Sequence, residues 1–497
     1  MGVLLEKCGA EYLAGYEYPS SGLRLYLGVG SENRVVRTER GICVVLEEHV
    51  AESDVKDGLL GEIFASFLLA SPTEVVGDRS LLLAHAAGYV SRITGEENYR
   101  YQRLLGEKLH RHALASPLGL PAARMSRLAR FYTWLRPLYS RTLGGPASRW
   151  LHEVVREAGL GGRRWVPLPE LPLTQPHRRL GLGAAARTAV ELARGATSLD
   201  VLRAIPPEAV IEGVGSSLAP PLRDPLLFLR LDRARLATRL VGFERQLYAL
   251  TGVAGALRAR RRGIIRSAKV IESEKGFVTA VVKHYRDPTI AKWLLAALLS
   301  LPLPQPRLRP KERLGAEYHY NAVLEGRGYR VPRPILVDPR RLRAAYTYVE
   351  GKTLAELLSS NPVPIEFREY GRLLASLHRD GVALWDSNPS NVILGRDGLY
   401  LVDLEQAREA ASIVEKAWDI AVAVYYSVPY SLGGAVERAK LLATGYLEAG
   451  GDRSVVAEAA RYRYAAPFAA VIPLNVLERI RRAIAYVAEA GPAGERP

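Results

Sequence analysis

Three oxygen-bearing side chains stand at spacings that suit phosphoryl transfer. Asp386 opens Asp386-Ser387-Asn388-Pro389-Ser390-Asn391, and Asp403 closes the apolar run Leu399-Tyr400-Leu401-Val402. Phosphoryl transfer needs a carboxylate that aligns the acceptor hydroxyl, and oxygen ligands for Mg2+ on the triphosphate. Asp386 suits the first role. Asn391 and Asp403 suit the second, because Mg2+ is a hard cation that prefers oxygen. Glu405 would share a face with Asp403 if the strand ran on, and is expected to assist the metal or cap the next turn. The competing reading is a surface hairpin whose Asp and Asn merely form turns. The flanking Leu377-His378 pair and the apolar Val392-Ile393-Leu394 argue against it.

Certain elements must hold this set. Val392–Leu394 and Leu399–Val402 read as a hairpin around a turn at Gly395–Gly398. Ile264–Glu272 and Phe277–Tyr285 read as another, and Arg313–Gly326 as a helix. Asp380 is a rival carboxylate, but Trp385 stands where it would need an asparagine. The interval from Asp403 to Asp419 leaves little room for a long phosphorylatable loop, and no Ala-Pro-Glu follows.

From about residue 264 to 475 these segments, in order, resemble the protein-kinase-like superfamily. The compact atypical branches are most similar: Rio kinases, the small kinase of the archaeal KEOPS complex, aminoglycoside phosphotransferases and lipopolysaccharide sugar kinases. Leu377 to Leu394 resembles their catalytic loop. Val281-Val282-Lys283-His284-Tyr285 resembles the strand with the phosphate-binding lysine. Val331-Pro332-Arg333-Pro334 and the hinge-like Tyr346-Thr347-Tyr348-Val349-Glu350-Gly351 follow. Trp418-Asp419-Ile420-Ala421 resembles the buried aspartate that opens a C-lobe helix and braces the loop. The resemblance implies a bilobal α+β kinase-like fold that uses ATP and Mg2+. It makes Lys283 the contact to the α- and β-phosphates and Glu317 its ion-pair partner, with Arg313 an alternative partner for Glu317. Glu350 and Gly351 would shape the hinge. Outside the resemblance, a lysine ending an apolar strand is often an edge gatekeeper. Gly213 and Gly215, in Gly213-Val214-Gly215-Ser216-Ser217, would be the phosphate loop, since successive amides cradle phosphates; a linker turn is the other reading. Two departures stand out. Leu384 occupies the place of a bracing His, and Asp403-Leu404-Glu405 replaces Asp-Phe-Gly.

A chain of 497 residues, 48% hydrophobic and 24% charged, is expected to fold as two or three globular domains. The predicted division is 1–110, an unrecognised α/β domain; 111–205, basic and mainly helical with a proline-rich linker at 166–177; and 206–497, the kinase-like domain, its N-lobe running to about 350 and its C-lobe from 351 to 497. Strands are expected at Leu23–Val29, Arg34–Thr38 and Ile42–Glu48, with Gly28-Val29-Gly30 as a hairpin turn. Helices are expected at Gly58–Leu69, Leu81–Ile93, Met125–Tyr139, 178–205 and Asp224–Leu257. No apolar run approaches the ~20 residues that span a bilayer. Two cysteines, Cys8 and Cys43, make neither a disulfide framework nor a zinc site. A cytoplasmic location is the natural expectation.

The net charge is +16. Residues 121–180 hold 11 arginines against Glu153, Glu157 and Glu170, and Arg258 to Arg266 form a second cluster. Such blocks attract polyanions. A nucleic acid or an anionic membrane surface is the expected partner, unless this is only a solvated basic face. The Met125–Tyr139 stripe of Leu128, Phe131, Leu135 and Leu138 could lie on a membrane or pack inside its own protein. The expected activity is an ATP- and Mg2+-dependent phosphotransferase, foremost a serine/threonine-protein kinase. The alternatives are a kinase for a small hydroxyl-bearing acceptor, or a nucleotide-binding pseudokinase scaffold that binds RNA.

Overall fold

The computed structural model describes residues 2–18, 22–144, 148–176, 222, 224–239, 241–252, 258–260, 268–272, 278–286, 305–410 and 412–491, with the backbone alone at 258–260, 268–272 and 278–279. The expected phosphate loop at Gly213 and Gly215 and the helix expected at 178–205 lie outside these residues. The chain is a mixed α/β protein with several sheets. It divides into two compact units, one built mainly from residues 1–232 and the other from 241 onward with two short earlier segments.

In unit 1, five strands form one sheet: β1 (Ala10–Glu17), β2 (Arg24–Gly30), β3 (Arg34–Thr38), β4 (Gly41–Glu47) and β5 (Glu74–Gly77). Their order is β3-β4-β2-β1-β5, with β2 and β4 parallel and the other pairs antiparallel. The expected turn at Gly28-Val29-Gly30 is instead the end of β2. A side chain at Gly28 would meet the Tyr12 carbonyl at 2.1 Å, so glycine here permits close approach of β1 rather than chain reversal. Helices α1 (Gly2–Cys8), α2 (Glu48–Lys56) and α3 (Arg79–Leu105) accompany the sheet. The helix expected at Gly58–Leu69 shrinks to Ile63–Phe67.

The stripe expected as one helix is two, α4 (Gly119–Phe131) and α5 (Arg136–Leu143), parted at Tyr132, and α6 (Ser148–Val155) follows. Leu128, Leu135 and Leu138 join Tyr16, Phe64 and Tyr89 in one buried core, so three members of the stripe pack inside, while Phe131 is exposed. The expected linker holds order: β7 (Val166–Pro167) and β8 (Leu229–Leu231) flank β6 (Ala113–Ala115). The long helix expected from Asp224 is also replaced. Asp224 caps a 3-10 turn that Pro225 begins, and Leu229-Arg230-Leu231 alternates buried and exposed as a strand does.

In unit 2, a sheet ordered β10-β11-β12-β14-β13-β9 combines β9 (Arg235–Leu236), β10 (Arg258–Arg260), β11 (Ala268–Glu272), β12 (Val278–His284), β13 (Pro334–Asp338) and β14 (Arg343–Thr347). Only β9–β13 is parallel. Helix α7 (Phe243–Thr251) packs its Phe243 and Leu247 against Val282, Leu336 and Ala345 of this sheet. Helix α8 (Pro310–Gly326) precedes β13. The remainder has a largely helical core of α9 (Glu366–Arg379), α10 (Ile413–Tyr425), α11 (Ala435–Glu448) and α12 (Leu474–Ala490). Small β elements border it: β15 (Lys352–Thr353), β16 (Val382–Ala383), β17 (Val392–Gly395), β18 (Gly398–Leu401) and β19 (Arg408–Glu409). Among the described residues no helix is long and apolar enough to cross a membrane.

Candidate active site

The loop that ends in Asp386 is built from two buried helices. On α9, Phe367, Tyr370, Leu374 and Leu377 face the core at helical spacing. On α10, Asp419 is fully buried at mid-helix, rather than opening the helix as expected; Ser412 and Glu415 form the capping box that starts it. The Asp419 carboxylate accepts from the backbone amides of Leu384 (2.7 Å) and Trp385 (2.6 Å), and lies 3.1 Å from His378 Nε2. His378 Nδ1 in turn meets the Tyr446 hydroxyl at 2.9 Å. A bracing histidine absent at 384 is thus supplied from α9.

This clamp holds strain. Trp385 sits at φ 61°, a left-handed conformation costly for a bulky side chain. Its amide is fixed by Asp419 and its carbonyl by Trp418 Nε1 at 2.9 Å. The turn delivers Asp386 half-buried at its end. Asn388 then caps the single turn Pro389–Asn391, and Asn391 Nδ2 donates to the Asp386 carbonyl at 3.0 Å, which fixes the spacing of the two side chains.

The β17–β18 hairpin brings Asp403 to the same loop: Val402 N donates to the Asn391 carbonyl at 2.9 Å. The strand stops at Leu401, and Asp403 is itself left-handed at φ 61° before a 3-10 turn over Leu404–Gln406. Glu405 therefore does not continue along an extended strand beside Asp403. It turns inward, buried, and accepts from Arg313 at 3.0 Å.

Lys283 lies on β12 between β11 and β14, opposite Ala268 and Ala344, so it is central and the gatekeeper reading falls. Its Nζ donates to both Glu317 oxygens, at 2.8 and 2.7 Å, and to Asp403 Oδ1 at 2.8 Å. Tyr285 donates to Glu317 at 2.7 Å. Arg313 serves Glu405 and the Tyr285 carbonyl (2.6 Å), not Glu317 as the alternative pairing had it.

One carboxylate oxygen each from Glu317, Asp403 and Glu405 falls within 4.8 Å of the others. Three carboxylates here face two cations, Lys283 and Arg313. Burial opposes the charge on Lys283, but Asp403 and Glu317 outweigh it and hold the ammonium above its ordinary range. Burial, then the Asp403 charge, push Glu405 up to about 7.

The structure thus gathers Lys283, Glu317 and Asp403, and ties Asp386 and Asn391 to the adjoining loop. It does not bring in the Glu350 side chain, which is exposed and pairs with exposed Arg396 at 3.2 Å. Gly351 beside it is needed by the backbone: a Cβ there would meet the Leu394 carbonyl at 2.2 Å. Sequence reasoning missed the Arg313–Glu405 bridge and the Tyr285 hydroxyl. A glutamate where the related pattern has glycine was the available signal.

Comparison with known proteins gives partial matches, and no family model matches the chain. A probable bifunctional tRNA threonylcarbamoyladenosine biosynthesis protein of Natronomonas pharaonis is 29% identical over 193 residues, 37% of this chain and 31% of that protein. A probable serine/threonine-protein kinase BUD32 homolog of Archaeoglobus fulgidus is 28% identical over 129 residues, 26% of this chain and 64% of that protein. The KEOPS complex subunit Bud32 of Pyrococcus abyssi is 31% identical over 96 residues, 19% of this chain and 44% of that protein. The chain spans less than two thirds of the length of each of these curated relatives. Over part of its length, therefore, it is similar to atypical kinases of the Bud32 and KEOPS type.

Proposed function

We propose that the Lys283–Asp403 cluster and the Asp386 loop form an ATP- and Mg2+-dependent phosphotransferase of the atypical kinase type, with a protein serine or threonine hydroxyl as acceptor. The observation that carries this reading is a single buried lysine held at 2.7–2.8 Å by Glu317 and Asp403, from a strand, a helix and a hairpin distant in sequence. The name of the Archaeoglobus relative supports the acceptor class, and the KEOPS subunit's name supports a protein partner.

The donor set fits a hard cation: Asp403, with its side chain 31% exposed, and the Asn391 amide oxygen would hold Mg2+. Bound there, Mg2+ would neutralise charge on the β- and γ-phosphates. Lys283, preorganised by Glu317, would donate to the α- and β-phosphates. Asp386 accepts a hydrogen bond from the acceptor hydroxyl and aligns it. As the new O–P bond forms and the bond to ADP breaks, the hydroxyl proton passes to this carboxylate.

The test is transfer of labelled γ-phosphate from ATP with Mg2+ by the full chain, to itself, to added protein, to small alcohols and to water. Asp386→Asn and Asp403→Ala should each lower transfer by about 10²–10⁴-fold, the usual worth of a positioned acid–base group or more. Transfer to small alcohols alone would replace the protein acceptor. Unchanged turnover in both variants, or ATP and Mg2+ binding without turnover in the wild type, would overturn the reading.

A further inference from the structure

Unit 1 carries a second candidate site that the phosphotransferase reading does not use. Its elements α6 and the following segment border an open cavity of about 1120 Å³, whose floor includes Pro72, Pro117 and Trp150. Trp150 is buried and fixed, its Nε1 donating to the Leu68 carbonyl at 2.9 Å. Five arginines and one glutamate line the cavity. Arg79 is neutralised by Glu153 at 2.5 Å, and Arg163 pairs at the surface with Glu170 at 2.8 Å. Arg149, Arg156 and Arg164 are exposed and have no carboxylate partner among the described residues.

The local chain explains the clustering. Gly159 (φ 76°) and Gly162 (φ 95°) reverse the backbone after α6. A Cβ on the intervening Gly161 would meet Arg156 Cγ at 2.9 Å, so the chain folds back directly on the Arg156 stem. That reversal brings Arg163 and Arg164 round to the same cavity as Arg149 and Arg156.

Guanidinium groups on separate segments around a concavity suit a strand of phosphates, each met by a planar fork of donors. A flat bilayer would instead need an exposed apolar face beside the charges. The stripe that could have supplied one is mostly spent inside: Leu128, Leu135 and Leu138 are 7, 0 and 2% exposed, and Phe131, at 78%, is a lone exposed ring rather than a face. We propose that this groove in unit 1, with Arg149, Arg156 and Arg164 as its contacts, binds the phosphodiester backbone of a nucleic acid without reading bases. The proposal is independent of the nucleotide chemistry of unit 2.

The experiment uses the full chain and a short fluorescent single-stranded RNA, the same sequence as duplex DNA, and phosphatidylserine vesicles. Nucleic-acid affinity should fall steeply between ~50 and ~200 mM salt. The triple variant R149Q/R156Q/R164Q should lose about tenfold or more at low salt, and its log–log salt slope should fall by about 2 to 3, the worth of three phosphate contacts. An equal loss of charge elsewhere, R461Q/R479Q/R482Q, should leave the slope unchanged. Equal effects of the two triple variants would overturn the proposal, as would binding to vesicles and not to nucleic acid. RNA bound in preference to DNA, or the reverse, would name the natural source of the backbone.

Discussion

Each unit of this protein buries a cluster of opposed charges, and the two differ in a way that separates scaffold from site. In unit 1, Glu62 lies under Arg92 (2.8 Å), Arg124 (Nε, 3.0 Å) and the Tyr89 hydroxyl (2.9 Å). Glu96 meets Arg124 at 2.9 Å, and Glu97 meets Arg124, Arg127 and Arg100. The three glutamates are at most 4% exposed, and all four cations are guanidiniums whose forks close around them. In unit 2 the cation at the centre is a lysine, a point charge on a flexible stem. Carboxylates outnumber cations by one, and Asp403 reaches solvent with 31% of its side chain exposed. Carboxylates sealed beneath guanidinium forks can only hold a fold together. A carboxylate that is itself open to solvent, beside a flexible ammonium, can exchange partners with a ligand.

The comparison breaks most easily in unit 1, where the largest effect is expected. Arg124→Met removes a fork shared by all three glutamates. Breaking a buried pair from one side costs about 3–5 kcal/mol, because the remaining charge is stranded. Hydrogen exchange should speed across β1–β5 and α3, while the thermal shift given by ATP with Mg2+ stays as in the wild type. Loss of phosphotransfer with exchange unaltered would make the unit 1 cluster a site and refute the distinction.

In unit 2 the informative change is at the bridge rather than at the lysine. Arg313 joins α8, the end of β12 and the turn after Asp403 through contacts of 2.6 and 3.0 Å. Arg313→Gln frees Glu405 to compete for Lys283 and loosens the turn that aims Asp403. Outer contacts of this kind are worth about 10–100-fold in metal affinity. The Mg2+ concentration for half-maximal transfer should rise about tenfold, with kcat changed less, and Arg313→Lys should recover part of it. A fall in kcat alone, at unchanged Mg2+ dependence, would show that the bridge does not position the metal-binding turn.

What could be read from the sequence follows the same line. The β17–β18 hairpin, the Lys283 strand and the Glu317 helix were legible, because apolar period and turn residues report backbone form directly. The pairing of Lys283 with Glu317 came from resemblance and was met by the geometry. Arg124 and Arg127 fall in the basic block of 121–180 expected to meet a polyanion or solvent, and they are internal ties to Glu62, Glu96 and Glu97. Arg313 was given the wrong carboxylate. Nothing local distinguishes an arginine that faces water from one that faces a glutamate far along the chain. Strain was equally hidden: Glu62, Trp385 and Asp403 all adopt left-handed backbone, which aspartate tolerates but glutamate and tryptophan disfavour. Such positions are set by the packing around them, as Asp419 sets Trp385.

The smallest effect tests whether the interior of unit 1 tolerates a cation with no carboxylate beside it. His85 is buried, and its Nδ1 meets the Tyr12 hydroxyl at 3.0 Å rather than a carboxylate. Burial lowers its pKa below the usual 6.5, and the more distant Glu52, Glu48 and Glu11 offset this only in part, with Lys56 acting against them. A histidine depressed in the native state takes up its proton first in the unfolded state. Its contribution to stability is then complete above about pH 6.5 and is lost as pH falls through the native value. Unit 1 should therefore lose a few degrees of Tm at most on acidification from neutrality toward about pH 5, and His85→Gln, which keeps a hydrogen-bonding group but cannot titrate there, should flatten that slope. An unchanged slope in the variant would place the acid sensitivity elsewhere. A histidine resonance showing a charged ring at neutral pH would mean that this interior tolerates an unpaired cation, and the contrast between the sealed and the open cluster would lose its basis.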